Sequence, residues 1–106
     1  MADSDWTSSE KKIAPRVFDA ALQRELAETM AEFKLQLARA DTPDRMWVVE
    51  EWLRDKRRHI GSRYDYRYSQ LDIVFGRLMR EGRVAVADLA GLSAARLARI
   101  GLIASL

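Results

Sequence analysis

From Arg16 to Ala40 the chain contains no glycine or proline, and Phe18, Leu22, Leu26, Met30, Phe33 and Leu37 recur at spacings of three and four. Such spacing puts apolar side chains on one side of an α-helix. Leu, Ala, Glu, Gln, Lys and Arg, all good helix formers, dominate the stretch. The pattern predicts one helix of about 25 residues, roughly 37 Å long at 1.5 Å per residue. The chain has only 106 residues, room for a single domain. So small a chain can hardly cover that helix alone, and a homodimer in which a symmetric copy hides the apolar stripe is the expectation.

The flanking segments read as more helices. Residues 1–8 are mostly polar and expected to be mobile, with Trp6 the best candidate for packing. A helix could start at Ser9-Glu10-Lys11-Lys12, with Pro15 in a first turn or at a restart. Asp41-Thr42-Pro43-Asp44 is a break and restart, with Thr42 as N-cap, Pro43 at the first helical position and Asp44 complementing the helix dipole. The second helix is predicted from Pro43 to about His59, with Gly61 as its C-terminal cap. Met46, Val49, Leu53 and Ile60 line one face, and the short connection predicts an antiparallel pair with the first helix. A third helix is predicted from about Asp65 to Glu81, its stripe formed by Tyr68, Leu71, Val74, Phe75, Leu78 and Met79, and its end marked by Gly82. Val84–Leu92 reads as a short helical turn closed by Gly91. Ser93 caps a last helix from Ala94 to about Ala104 with Leu97, Ile100, Leu102 and Ile103 apolar. The fold class is all-α: a long antiparallel helix pair (about 9–61) forming a dimeric stalk, and a small C-terminal helical head (about 62–106), in one domain.

Composition removes several function classes. The chain is 48% apolar and 32% charged, a helix-rich globular or coiled-coil composition rather than a disordered one. It has no cysteine and one histidine, so disulfides, thiolate zinc sites and a multi-histidine metal site within one chain are excluded. No 18-residue apolar run spans a membrane. The N-terminus lacks the apolar core of a signal peptide, so a cytoplasmic location is expected. No cofactor is expected. Five scattered glycines make no phosphate-cradling loop, and no Cys nucleophile or G-x-S-x-G is present. Glu50 and Glu51, adjacent on a helix, point about 100° apart, a poor geometry for an acid–base pair. His59 has no Ser and Asp partners evident in sequence and reads as a surface or helix-end residue. No catalytic and no metal-ligating residues are assigned.

The most distinctive stretch is Trp47–Ser69, WVVEEWLRDKRRHIGSRYDYRYS, with two of the three tryptophans, all three tyrosines and the only histidine. Net charge is +2 overall, but Arg54–Arg67 carries six basic residues against Asp55 and Asp65, a local +4. Trp47, Glu50, Glu51 and Arg54 follow one another around the second helix at i, i+3, i+4 and i+7, and Arg57 and Arg58 continue the stripe. Two readings stand: a buried Trp47 beside intrahelical ion pairs worth a few tenths of a kcal/mol each, or a protein-binding patch, since Trp and Arg are enriched at binding hot spots. For Tyr64–Tyr68 a packed helix start, with hydroxyls hydrogen-bonded and Asp65 pairing Arg67, is favoured over nucleic-acid contact.

Arg63-Tyr64-Asp65-Tyr66-Arg67-Tyr68-Ser69, followed by an apolar helix with Val74-Phe75, resembles the K-Y-D-[FY]-R-Y-S segment of the cyanobacterial fluorescence recovery protein family. Trp47, the basic Lys56-Arg57-Arg58 and the turn Asp88-Leu89-Ala90-Gly91-Leu92 extend the resemblance. It implies an all-helical, non-enzymatic homodimer. Such a protein binds the photoactivated orange carotenoid protein, mainly at its C-terminal domain, and speeds its return to the orange form, ending phycobilisome quenching. The family's contact patch of Trp, His, Asp and Arg falls, by resemblance, on Trp47, Glu50, Glu51 and Arg57, with Arg54 beside them. Two positions depart: Glu50 stands for His, and Glu51 for Asp. Arg63 replaces the Lys of the heptapeptide. Such departures also suit a diverged relative in a non-photosynthetic bacterium that keeps the scaffold and serves another protein partner. A third reading is a basic dimeric nucleic-acid-binding protein using Arg54–Arg67, although no recognised nucleic-acid motif is present and no such partner is expected.

Overall fold

In the computed structural model, which describes residues 5–106, Thr7 and Glu10 fix the start of the first helix. Thr7 Oγ1 accepts the Glu10 N–H at 3.2 Å, and Glu10 Oε1 accepts the Thr7 N–H at 3.0 Å. This reciprocal pair is a capping box, encoded as Thr7-Ser8-Ser9-Glu10. Helix α1 therefore spans Glu10–Arg39, 30 residues, and runs through Pro15 without a restart. The cost is one backbone hydrogen bond, because proline has no N–H to offer the preceding turn. Against the expectation of mobility at residues 1–8, Thr7 holds this cap and Trp6 is buried; residues 1–4 lie outside the described residues.

The remaining elements are α2 (Pro43–Arg63), α3 (Leu71–Arg80), a 3-10 turn (Val86–Leu89) and α4 (Ala94–Ser105). All are helical, and no strand occurs among the described residues. By packing, the chain forms two compact units: one of the chain up to Ala21 with Tyr64–Leu106, the other Leu22–Arg63.

In the first unit Phe75, Leu71, Leu78, Leu89 and Ile100 are fully buried between α3, α4 and the 3-10 turn. Helices α3 and α4 pack closely because Gly76 makes room: a Cβ there would lie 2.5 Å from Ile103 Cγ2. Gly82 at φ 76° ends α3, and the Arg83 N–H closes back on the Leu78 carbonyl at 2.8 Å. Gly91 at φ 101° turns the chain into α4, whose N-cap Ser93 accepts the Arg96 N–H.

The N-terminal segment is bound into this unit by one arginine. Arg96 donates from Nη2 to the Asp5 carbonyl (2.9 Å), from Nη1 to Asp72 Oδ1 (2.8 Å) and from Nε to Glu10 Oε2 (3.3 Å). Its guanidinium lies 3.7 Å from the ring centroid of Trp6, a desolvated cation–π contact. Trp6 is 4% exposed, and its indole N–H donates to the Tyr68 carbonyl at 3.1 Å.

Residues 64–67 are not helical, which corrects the predicted start of the third helix near Asp65. Tyrosines at 64, 66 and 68 alternate with charged residues, and in extended backbone such alternation carries every second side chain to the same face. Tyr64 and Tyr66 both meet Phe18 edge-on (centroids 5.5 and 4.9 Å), and Tyr68 lies between Tyr66 (5.9 Å) and Trp6 (5.7 Å). A helix would have turned these rings apart. Only once the aromatic row is packed does the chain turn, through Arg67–Gln70, into α3.

In the second unit α1 and α2 run antiparallel through the short turn before Pro43, with Thr42 Oγ1 accepting the Arg45 N–H as expected. Helix α2 continues to Arg63, so Gly61 is an ordinary helical residue and not the C-terminal cap. The extension is held by a buried ion pair, Arg63 Nη1 to Glu25 Oε2 at 2.6 Å. Between this clamp and the turn the two backbones barely approach within 8 Å. Met30, Leu35, Leu37, Met46 and Val48 are exposed.

Candidate functional site

The stripe that starts at Trp47 lies on α2 of the second unit. Trp47 is 61% exposed in the single protomer and so lies outside the protomer's own core; Trp52, further along the helix, is half-buried under the Lys56 ammonium. Glu50, Glu51, Arg54 and Arg57 are all exposed. The intrahelical ion pair is present: Arg54 Nη2 reaches both Glu50 carboxylate oxygens at 2.6 Å. The hydrogen bond to Glu50, then its charge, holds the Arg54 guanidinium even more firmly protonated than usual. At full exposure such a pair adds little stability and mainly fixes the orientation of two side chains.

Where α1 and α2 stand apart, a groove of about 540 Å³ opens between them. Leu26, Leu53, Ile60 and Gly61 contribute apolar surface, and Lys56 and Arg57 contribute cations. Glu50 and Arg54 also border it. The structure thus brings Glu50, Arg54 and Arg57 around one opening, while Trp47 and Glu51 stand outside its lining. Lys56 and Gly61 were not singled out from sequence as parts of a site.

The heptapeptide serves the first unit's core and the clamp. Arg63 belongs to the ion pair with Glu25, and Tyr64, Tyr66 and Tyr68 to the aromatic row. Arg67 pairs with Asp65 at 2.6 Å, as the local pairing predicted, and this bond keeps the Asp65 carboxyl below its usual range. Partial burial and the neighbouring Tyr68 push the Tyr66 phenol up to about 12, although the residue is exposed. Ser69 is exposed in the turn before α3. His59 is exposed on α2, and its carbonyl accepts the Ser62 hydroxyl. Among the described residues no three His, Cys, Asp or Glu side chains converge as a metal site, and no helix is long and apolar enough to cross a membrane.

Comparison with known proteins agrees with this architecture. Residues 6–104 match the family model described as photoprotection regulator fluorescence recovery protein. The fluorescence recovery protein of Synechocystis sp. is 32% identical over 105 residues, covering 99% of this chain and 96% of that protein. The solved structure of the fluorescence recovery protein from Synechocystis sp. PCC 6803 superposes with a TM-score of 0.90 at 33% identity, over 95% of this chain and 99% of that one. The Fremyella diplosiphon protein superposes equally well, with a TM-score of 0.90 at 28% identity and the same coverage. The chain belongs to the fluorescence recovery protein family of photoprotection regulators.

Proposed function

We propose that this protein is a non-enzymatic, homodimeric regulator in the cytoplasm that binds the photoactivated orange carotenoid protein through α2 and accelerates its reversion to the orange form, ending phycobilisome quenching. The observation that carries the reading is the exposure of Trp47 beside Glu50, Glu51, Arg54 and Arg57 on one helix. A large exposed aromatic costs solvation in the free protein and repays it when a partner covers it, and Trp and Arg are the residue types that dominate binding energy at interfaces. Speeding a reversion needs no catalytic group. The binder has only to hold the transition state for reversion more tightly than the photoactivated form. Trp47 is the anchor, Arg57 the charge-pairing group, and Glu50 and Glu51 set specificity.

Dimerisation draws support from the exposed Met30, Leu37, Met46 and Val48. An apolar surface spread along two long helices is one that soluble proteins cover with a second copy. Size-exclusion chromatography with an orange carotenoid protein held dark or illuminated tests the partner. Co-elution with the illuminated form alone is expected, and Glu50→His with Glu51→Asp strengthens it by restoring the family's pattern. A stable dimer that co-elutes with neither form would contradict the carotenoid protein as partner and move the assignment to the same scaffold serving another protein.

A further inference from the structure

The aromatic row gathers all three tyrosines of the chain into the first unit, and none of them belongs to the patch on α2. Tyr66 and Tyr68 lie two residues apart outside any helix, so both rings fall on one face. Their centroids are 5.9 Å apart, and their phenols share a hydrogen bond. Tyr66 is 39% exposed, while Tyr68 is half-buried against Trp6 and under the Lys11 ammonium. One phenol is thus open to a reagent in solution, and the second is held beside it. The Asp19 carboxylate stands near enough for its charge to act on the Tyr66 phenol. A phenol that has lost an electron is a strong acid, and this carboxylate is a ready acceptor for its proton.

We propose that Tyr66 and Tyr68 form an oxidative modification site, which one-electron oxidants convert into an intrachain dityrosine. Each tyrosine gives one electron to the oxidant and its phenolic proton to solvent, the Tyr66 proton by way of Asp19. The two phenoxyl radicals join through a carbon–carbon bond between ring positions ortho to the hydroxyls. The hydrogen on each of those carbons then moves to the oxygen and restores both phenols. The net change is the loss of two electrons and two protons. Radicals held side by side couple without a diffusional encounter, which coupling between chains would require. The rings meet at 63°, and the open side of Tyr66 leaves room for the swing that aligns them. Tyr64 takes no part in this pair: its ring is set edge-on against Phe18, which has no phenol to couple. The inference stands apart from the choice of partner for α2.

The test illuminates the full chain with tris(bipyridine)ruthenium and persulfate, which takes the two electrons and ends as sulfate, and follows dityrosine fluorescence. The sequence makes the product easy to locate. Trypsin cuts after Arg63, Arg67 and Arg77, which separates Tyr66 from Tyr68. Peptides 64–67 and 68–77 should therefore stay joined after digestion, at a mass two hydrogens below their sum, in a chain that runs as a monomer on a denaturing gel. The yield per chain should not fall when the protein is diluted. Tyr66→Phe and Tyr68→Phe should each abolish the fluorescence and the joined peptides, and Tyr64→Phe should leave both. Each of these changes keeps the ring and removes one hydroxyl, and thermal melts establish that the variants fold. Dityrosine that survives Tyr68→Phe overturns the inference. So does dityrosine found only in chains cross-linked to one another, or oxidation confined to the tryptophans with no joined peptides.

Discussion

Arg63 Nη1 lies 2.6 Å from Glu25 Oε2, with 9% and 4% of the two side chains exposed. The pair joins residues 38 apart in sequence and closes the end of the α1–α2 hairpin opposite its turn. It also explains why α2 runs two residues past Gly61. The last turn is held by tertiary contact to a partner helix, which outweighs local propensity.

Removing one member of a buried ion pair withdraws from the other its 2.6 Å charge partner. Glu25→Ala should cost about 3 kcal/mol, and Arg63→Ala a comparable amount. Replacing both with apolar side chains, Glu25→Leu with Arg63→Met, should recover most of the loss, because the desolvation of two charges is then avoided. Urea unfolding of the four proteins checks the pattern. Equal additive losses in the double variant would show that the pair is not a coupled unit.

Acid should loosen the first unit through Glu10. Burial pushes this carboxyl up, but the N–H groups of Ser93 and Thr7 and the charge of Arg96 together outweigh burial, and its pKa sits below the ordinary 4.5. A carboxyl with a lowered folded pKa adds stability that is fully present above 4.5 and is lost as pH falls through the folded value. Glu10→Gln should therefore be less stable than the unmodified protein at neutral pH, and the gap should narrow as pH drops below 4.5. Thermal melts across that range measure it, and a gap independent of pH would contradict the assignment.

Four glycines should respond to alanine with opposite signs. Gly61→Ala and Gly101→Ala add a Cβ into open space inside helices and should stabilise by about 0.5–1 kcal/mol each. Gly76→Ala meets Ile103 Cγ2 at 2.5 Å, and Gly91→Ala combines φ 101° with Ile13 Cδ1 at 2.6 Å. Both should destabilise by about 1–3 kcal/mol through overpacking or backbone strain. Chemical denaturation separates the two pairs. A stable Gly76→Ala protein would mean that α3 and α4 do not pack as closely as described.

Elements with strong local signals were legible in the sequence. Thr42-Pro43, Gly82, Gly91 and Ser93 each do what their side chain or backbone freedom dictates, independently of distant contacts. Errors arose where a tertiary contact decides the local structure. Gly61 reads as a cap only until Glu25 is seen to hold Arg63. Tyr64–Tyr68 reads as a helix start because apolar residues continue after it, yet its period of two serves packing on Phe18 and Trp6. The start of α1 is legible as well, since Thr7-Ser8-Ser9-Glu10 is a capping box lying before the apolar pattern begins. For the candidate site, the residue types were readable on α2. Exposure of Trp47 was not, because a tryptophan at helical spacing fits a core or a surface equally well. The groove was illegible too, since it depends on how far α1 stands from α2.

The most direct test of the account is the dark reversion of a photoactivated orange carotenoid protein, followed by the red-to-orange absorbance change with this protein added at one dimer per target. The account predicts marked acceleration that is lost with Trp47→Ala and with Arg57→Ala while both variants remain folded dimers. Reversion at the unassisted rate in the presence of an intact dimer, or acceleration that survives both substitutions, would contradict it.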